Sequence, residues 1–554
     1  MDTTVLRKRF LAVKTERSNI EGALRLIAKF IMPFSGSFHQ GELKEELAIN
    51  WRETRDLYDS TAVLANQNLA ANIHSGLTNP VVQWFDMVFR DPVIRKNQQA
   101  RKWMESCSGI VFVTLQESNF NLEVNETYLD LTSFGTSVLV EEVLEDKNRK
   151  YMGIDFRSTP LEEAYFEDDH RGQVLYFYRE LQWTPLQILY KFKDQAPEEY
   201  KKMVDEGKDL GQKEKVIFAI FPRELETEVD TSSFVSPIKR PFGWVYFREK
   251  DGLRLGEEGG YYEMPAFVPR WRKTAGSKWG HSPGMICLSD VLTLNELVRL
   301  VLKAAEKVVD PPILTTRRGV FGDIDTDAGG VTVVQSMDAF KPYESGARFD
   351  VSALTKQDLQ QSIRQTFFMD QLQLKESPAM TATEVSVRYE MMQRMMGPTL
   401  SRLQYDFLDP LVQRTFRILY RYGRLPKAPE IVKEAKAEFD VEYTGPMARA
   451  QKADQVTAIE RWLGTLAQLS AEGGYPRLRD LPNVDVAGRM MGELGGVPLE
   501  AINDDDTIKK NRKDQAEKQK QVEQLEGMKA VAEVAGKAGP ALQQMGGGGG
   551  QEAA

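Results

Sequence analysis

The stretch KWGHSPGMICLSDVLTLNELVRLVLKAAEKVVDPP, from Lys278 to Pro312, joins a serine between two glycines to a long amphipathic run that two prolines end. Within Ser289–Val309 one face of a helix is apolar and the opposite face is polar. The apolar positions are Leu294, Leu297, Val298, Val301, Ala305 and Val308, and the polar positions are Asn295, Arg299, Lys303 and Glu306. At a rise of about 1.5 Å per residue, this predicts a rod about 30 Å long. Asp310 and the two following prolines end it.

The same run is too charged to be a membrane anchor. Its ionisable residues are Asp290, Glu296, Arg299, Lys303, Glu306 and Lys307. Each charge costs about 2.5–3.5 kcal/mol at the centre of a bilayer, which outweighs the few tenths that each Leu or Val contributes. The N-terminus is also interrupted by charges such as Lys14 and Glu16, so it predicts an amphipathic helix and no export signal. We therefore expect no membrane insertion.

A second helix is predicted after the prolines, from about Ser352 to Leu374, with Leu359, Ile363 and Phe367 at four-residue spacing. The residues between the two helices contain strand-like ILTT and VTVV runs separated by a Gly/Asp turn. The sequence thus predicts a helix, a small β unit and a returning helix.

The flanking regions predict an α+β protein that is mainly helical. Residues 1 to about 105 are expected to be helical, and Thr61–His74 is strongly periodic. Short β-rich runs are expected from about 108 to 270, with one helix opening at Thr184-Pro185. The runs are GIVFVTL, SVLVEEV, QVLYFYREL, KVIFAIF and GWVYFRE.

The C-terminal part is predicted to be helical. Thr381 and Glu384 form a capping-box pattern that opens a long helix, which continues to about Tyr422 and bends at Pro398 and Pro410. Further helices are expected at about 446–470 and 505–535. The glycine-rich end, 541–554, predicts a disordered tail.

The composition of the 554-residue chain excludes several functions. It holds 72 basic and 81 acidic residues, for a net charge of −9, so a protein that grips DNA phosphates over its whole surface is not expected. Cys107 and Cys287 are the two cysteines, too few for a disulfide framework or a cysteine-based zinc site.

The motif GHSPG, Gly280–Gly284, matches the G-x-S-x-G pattern of serine hydrolases. Two facts oppose a catalytic role for Ser282. The residue that should donate its backbone N–H to the oxyanion is Pro283, which has none, and no histidine follows His281 in the chain. We expect no catalytic residue here, and the hydrolase remains a distant alternative.

No metal or cofactor site is predicted. Asp323, Asp325 and Asp327 resemble the start of a calcium loop, but Ala328 and Val334 stand where a glycine and a bidentate glutamate belong. No phosphate-binding loop of the P-loop type occurs, and the Met391–Met396 cluster is interpreted as core filler. Arg317 and Arg318 could meet an acidic partner or a phosphate, or lie in an exposed turn.

Several stretches, in order and at matching spacing from about residue 55 to about 520, resemble the portal (head-to-tail connecting) proteins of short-tailed, podovirus-type bacteriophages. The matching stretches are Tyr58-Asp-Ser-Thr-Ala, Leu69-Ala-Ala, Leu77-Thr-Asn-Pro, Trp84-Phe85, Trp279-Gly-His-Ser-Pro-Gly, Asp290, Leu294-Asn295-Glu296, Asp310-Pro-Pro, Met380-Thr-Ala-Thr-Glu-Val385, Arg388, Glu390, Glu442-Tyr443, Gly445-Pro-Met-Ala-Arg-Ala-Gln451 and Gly496-Val-Pro498.

The resemblance implies a viral portal fold with wing, stem, clip and crown, in a ring of about twelve copies. Carried onto this chain, it implies these parts: 1–288 wing, 289–309 stem, 310–350 clip, 351–374 returning stem helix, 375–380 channel loop, 381–440 long kinked helix, and 441–540 helical crown. The channel loop consists of Lys375, Glu376, Ser377, Pro378, Ala379 and Met380. Arg317 and Arg318 would be clip contacts to partners.

The resemblance also implies partners and a place. The ring would pass double-stranded DNA and dock a terminase (packaging ATPase), capsid and scaffolding proteins, and a tail adaptor protein. It would assemble in the bacterial host cytoplasm and lie at the capsid portal vertex of the virion. The alternative is another structural adaptor or scaffold of a virion, which a particle image would distinguish from a portal.

Overall fold

The computed structural model describes the following residues, to which all structural statements refer: 2–34, 56–146, 150–207, 210–223, 234–309, 313–315, 340–342, 349–369, 396–434, 438–443, 446–471, 480–494, 497, 501, 503 and 507–520. The chain forms two compact units. The first consists of Met1–Asp91 with Trp103–Ala448, and the second of Pro92–Lys102 with Arg449–Ala554.

Helices make up most of the described residues. In chain order they are α1 (Thr3–Phe30), α2 (Thr61–Leu77), α3 (Pro92–Lys96), α4 (Gln98–Glu117), α5 (Phe120–Phe134), α6 (Pro185–Phe192), α7 (Glu198–Asp205), α8 (Pro283–Ile286), α9 (Leu288–Val309), α10 (Phe349–Thr366), α11 (Asp409–Arg421), α12 (Glu430–Glu434), α13 (Pro446–Ala471) and α14 (Val484–Leu494). Residues 396–403 and 507–520 are also helical.

The strands form small antiparallel sheets. They are β1 (Phe85–Phe89), β2 (Leu139–Glu145), β3 (Tyr151–Ser158), β4 (Ala164–Asp168), β5 (Val174–Trp183), β6 (Glu214–Pro222), β7 (Phe242–Arg248), β8 (Arg254–Tyr261), β9 (Ala266–Phe267), β10 (Ile313–Thr315), β11 (Phe340–Pro342) and β12 (Phe439–Tyr443). The sheet orders are β4-β5-β6-β7-β8, β3-β2-β9, β1-β12 and β10-β11. The mainly helical α+β class is confirmed.

The five-stranded sheet is covered on both faces. On one face, Leu6, Phe10 and Val13 of α1 pack against the buried side chains of Ile217 and Phe247. On the other face, the α6–α7 pair contributes a small core around Ile188 and Tyr200. The central strand β6 is therefore buried on both faces, and its apolar run shows no alternation.

Helix α1 is held to the sheet by a buried arginine. Arg17 is 2% exposed, and its guanidinium donates hydrogen bonds to the carbonyl oxygens of Leu161, Glu162 and Ala164 at 2.7–3.1 Å and to the Tyr165 hydroxyl at 2.6 Å. A buried charge of this kind is tolerated because its donors are satisfied.

The N-terminal half and the β-rich region differ from the sequence-based expectations at several places. The run GIVFVTL was expected to be a strand, but it lies within α4, and Phe120–Phe134 is a further helix. The prediction of helix alone up to residue 105 is wrong, because β1 lies within it and pairs with β12 from far along the chain. The other four β runs are strands, and α6 opens at Thr184-Pro185 as expected. Thr184 also caps α6 in a capping box with Gln187.

Pro410 is accommodated by a change of helix type. Residues 396–403 are α-helical, Gln404–Leu408 form a π-helical turn, and α11 then begins with Pro410 in its first turn. The backbone N–H of Asp409 donates to Gln404 O, the i→i−5 bond of a π turn, so the ladder continues around a residue that has no N–H. The helix ends at Arg421, close to the expected Tyr422, and therefore does not run on to residue 440. The capping-box start at Thr381 lies outside the described residues.

The second unit is helical in its described part. Helix α13 matches the helix expected at 446–470, while α14 was not expected. Residues 507–520 are helical within the predicted 505–535 helix. Arg512 forms a two-pronged ion pair with Asp485, at 2.7 and 2.5 Å, which joins this helix to α14.

Candidate functional site: the helical hairpin and its base

Helices α9 and α10, with the short β10–β11 ladder between them, form an antiparallel hairpin. Ser362, late in α10, donates a 2.8 Å hydrogen bond to Asp290, early in α9, which sets the antiparallel direction. The predicted helix–β–helix order is confirmed, although the described partner of the ILT strand is Phe340–Pro342. The expected VTVV strand lies outside the described residues.

The end of α10 differs from the prediction. The helix was expected to continue to Leu374, but it ends at Thr366, and Phe368 has a positive φ of 56°. A left-handed backbone cannot continue a right-handed helix. Ile363 and Phe367, predicted to face the core, are both 0% exposed.

One apolar stripe runs the whole length of α9, at spacings of three or four residues. It consists of Val291, Leu294, Val298, Leu302, Ala305 and Val309. The first three side chains are 4%, 1% and 8% exposed, whereas Leu302 is 53% and Val309 85% exposed. The hairpin is therefore packed at its base, which we define as 288–298 of α9 and 358–367. Beyond Val298, Leu302 and Val309 of the stripe are exposed.

Polar side chains clamp the base to the segment that leads into α2. Asn295, 8% exposed, accepts from Tyr58 N at 2.7 Å and donates to Asp56 O at 2.8 Å. Gln360 donates to Asp59 at 2.7 Å. The expectation that Asn295 belongs to the polar face opposite the apolar one is wrong, because the residue is buried and both ends of its amide bond backbone groups of the segment before α2.

The WGHSPG loop holds the base against the C-terminal end of α5 through two glycines in contact. Gly135 ends α5 at φ 77°, and a Cβ on it would lie 2.4 Å from Gly280 O. A Cβ on Gly280 would lie 2.0 Å from Gly135 O. Gly280 N also donates to Thr136 Oγ1 at 3.0 Å. Two backbones that approach this closely leave no room for a side chain on either residue.

Ser282 has a structural role in the same loop. Its side chain is 0% exposed, its hydroxyl donates to Ser133 O at 2.5 Å, and it accepts from Met285 N at 2.9 Å as the N-cap of α8. Both functions of the hydroxyl are thus engaged, and His281 contacts Thr274 at 3.2 Å. The geometry offers no activated nucleophile.

Replacing Ser282 by alanine should lower stability by about 1–3 kcal/mol, because a cap and a buried hydrogen bond are lost. Ser289→Ala, at an exposed position of the same region, should change stability by less than about 0.5 kcal/mol. Thermal unfolding of both variants measures the difference. Assembly of the protein should be unaffected; loss of function in a Ser282→Ala protein that still folds and assembles would contradict a purely structural serine.

The nearby thiol is also inert. Burial, with a smaller contribution from the charge of the neighbouring Asp290, raises the pKa of Cys287 to about 12. The thiol therefore stays protonated and packs as a small apolar group.

The other candidate residues of the sequence lie outside the described part of the chain. They are Arg317, Arg318, Asp323, Asp325, Asp327 and Lys375 to Met380. Within the described ranges, no three His, Cys, Asp or Glu side chains are grouped as a metal site requires. No helix among the described residues has the length and apolar character needed to span a bilayer.

Sequence reasoning missed the partners of the loop. Gly135 follows Phe134 at the end of a helix, where a left-handed glycine is common, so its conformation could have been predicted had α5 been recognised. Its contact with Gly280 could not, because no local pattern shows which backbone a glycine approaches.

The hairpin is packed against the protein at its base and exposes apolar side chains at its distal end. Such an exposed apolar surface is typical of a structural protein that assembles with other chains. The chain belongs to the family described as bacteriophage head to tail connecting proteins, which its sequence matches over residues 3–502.

Two relatives support this membership over nearly the whole chain. The probable portal protein of Bordetella phage BPP-1 is 28% identical over 93% of this chain and 92% of its own length. The portal protein of Salmonella phage epsilon15 is 25% identical over 92% and 90%. A chain from the neck of an empty GTA particle matches with a TM-score of 0.34 at 9% identity, covering 74% of this chain and 88% of that one.

Proposed function

We propose that this chain is a portal protein, a ring of about twelve copies at one vertex of a tailed-phage capsid, through which double-stranded DNA is packaged and ejected. The observation that carries this proposal is the α9 stripe, whose side chains are buried at the base and exposed at Leu302 and Val309. Cyclic closure covers such a surface in every copy and leaves no free edge. The names of the two relatives point to the same role.

The hairpin supplies the stem in this proposal. Leu288–Val309 and Phe349–Thr366 are the stem helices. The clip, expected at 310–350, is the insert between them and ends where α10 begins at Phe349. Residues 375–380 are the channel loop, 381–440 contain the kinked helix, and the wing and crown are 1–288 and 441–540. The crown assignment begins within strand β12, so its helical part starts at Pro446.

The partners follow from this arrangement. The clip, with Arg317 and Arg318, docks the packaging ATPase during filling and the tail adaptor protein afterwards. The wing contacts capsid and scaffolding proteins. The ring is assembled in the host cytoplasm and stays in the virion as a passive channel, because the force for packaging comes from the separate ATPase.

The charge of the chain suits a channel that lets DNA slide. Duplex DNA carries one phosphate charge per about 1.7 Å, and every strong phosphate contact would act as a brake. A net charge of −9 and a single lysine, Lys375, in the channel loop give weak contacts that are repeated around the ring. Such contacts steer a duplex without fixing its register.

Deleting Glu376–Ala379 tests the channel loop. Rings should still form, but movement or retention of packaged DNA should be impaired, because the loop that meets the duplex is shortened. The measurement is the amount and length of DNA that particles package and keep. A four-residue deletion in the tail, Gly546–Gly549, is the control and should have no effect. Full packaging and retention by the loop deletion would show that residues 375–380 do not meet the DNA.

A further inference from the structure

A cavity of about 310 Å³ lies away from the hairpin, between the end of α1, the first turn of α2 and the second half of α5. Its walls are largely apolar and include Met32, Phe34, Val63 and Leu129. Two carboxylates, Glu126 and Asp130, stand on the same face of α5 at i and i+4 and also line it. Apolar walls with carboxylates at one end suit a ligand that has an apolar stem and a positive charge.

Asp130 is the unusual residue of this cavity. It is 8% exposed, and within the described ranges no donor or cation meets its carboxylate. Two other acids with buried side chains in the described part of the chain are paired. Asp168 lies 2.5 Å from Arg270 and 3.0 Å from Lys273, and Glu141 accepts a hydrogen bond from Thr415 at 3.0 Å beside Arg414. A buried carboxylate without a partner is costly, and either a proton or a bound cation can offset its charge.

We propose that the cavity binds the cationic end of an alkylammonium or alkylguanidinium group, with Asp130 as its counter-ion. Glu126 also lines the cavity and is exposed, so it adds a second negative charge near the cavity entrance. The apolar walls cover the alkyl stem, in the manner in which lysine and arginine side chains bury their methylenes. The half-exposed Phe34 at the rim leaves the cavity accessible to such a group.

The proton equilibrium supports the same site. Burial raises the pKa of the Asp130 carboxyl to about 7, and the neighbouring charge of Glu126 contributes to the shift. Near pH 7 the Asp130 carboxyl is therefore about half protonated when no cation is bound. A bound cation would favour the ionised form and release the proton, so affinity should rise with pH between about 6 and 8.

Two sources could supply this cation, a side chain of a second copy of the chain or a free alkyl cation. The first predicts that the charge of Asp130 matters for assembly. The second predicts that it matters for small-molecule binding alone. Binding of a free cation does not depend on the proposed portal function, so its failure and the failure of that function are distinguishable.

The test uses the full chain with agmatine and n-butylammonium as probes and the neutral n-butanol as the control ligand. Asp130→Asn keeps the shape and removes the charge, and Glu117→Gln removes an exposed charge outside the cavity. Calorimetry should show binding of both cations to the parent and to Glu117→Gln, and at least about tenfold weaker binding to Asp130→Asn. The assembly arm applies when a second copy supplies the cation. Light scattering should then show fewer rings for Asp130→Asn than for the parent, and agmatine should reduce ring formation by the parent because it competes for Asp130.

Dependence on the Asp130 charge in either arm supports the proposal. It is overturned when neither probe binds the parent and assembly is indifferent to Asp130→Asn, or when both probes bind the variant as tightly as the parent. Folding of the variant is checked by thermal unfolding. Because the raised pKa makes the ionised carboxyl destabilising, Asp130→Asn should unfold at a higher temperature than the parent at pH 8, with a smaller difference at pH 5.

Discussion

An alanine at Gly280 is expected to destabilise the first unit by at least about 4 kcal/mol or to prevent it from folding. The added Cβ would lie 2.0 Å from Gly135 O and 3.0 Å from Trp271 N, and both neighbours are backbone atoms. Backbone atoms cannot give way as a flexible side chain can, because Trp271 N is hydrogen bonded to Gly135 O at 2.9 Å. Large destabilisations arise from overpacking of this kind. Thermal unfolding and the yield of soluble protein measure the effect.

The matched control is Gly109→Ala. Gly109 lies within α4, and a Cβ there meets nothing within 4 Å. Alanine is the better helix former, so this variant should gain about 0.5–1 kcal/mol. A Gly280→Ala protein that is as stable as the Gly109→Ala protein would mean that the loop and the end of α5 do not cross as described.

The elements that were predicted well from the sequence are those whose start and end are marked by residues within or next to the element. Helix α9 was predicted within one residue at its start, because its apolar spacing and the prolines that follow it are both local. The capped start of α6 at Thr184 is local in the same way, since a serine or threonine three residues before a glutamine closes a capping box. No partner from elsewhere in the chain is needed to recognise either.

The elements that were missed depend on a wider window or on a distant partner. GIVFVTL is rich in β-branched residues, but Trp103, Cys107, Val111 and Leu115 recur every four residues and are all buried, which marks a helix. A seven-residue window sees the composition and not this period. Strand β1 forms because β12, far along the chain, pairs with it, and no local propensity shows that pairing.

The base of the hairpin shows the same limit for the site. Asn295 was placed on the polar face from its residue type, yet its amide satisfies backbone groups of Asp56 and Tyr58. An asparagine in a helix is as polar when buried and bonded as when exposed, so composition cannot separate the two cases. The sequence predicted an apolar face on α9, but of the residues of the stripe it named only Leu294, Val298 and Ala305. The exposure of Leu302 and Val309 became visible only when burial was known for each side chain.

The exposed distal part of the α9 stripe is expected to form the contact between copies in the ring. Charged residues placed there should abolish assembly while the monomer stays folded. Leu302→Asp with Val309→Asp places two carboxylates on the exposed part of the stripe. Each removes about 1.5–3 kcal/mol of apolar burial and adds the cost of a desolvated charge, so each contact between copies should weaken by more than about a hundredfold.

Ser289→Asp with Thr293→Asp adds the same charges to the exposed polar face of the same helix and should leave rings intact. Light scattering and negative-stain images measure the rings, and circular dichroism measures the fold. Because Leu302 is 53% and Val309 85% exposed in the single chain, loss of rings with an unchanged spectrum is the expected result. Rings from the charged stripe in parental amounts, or equal loss in the control pair, would show that the hairpin meets its neighbours through another surface.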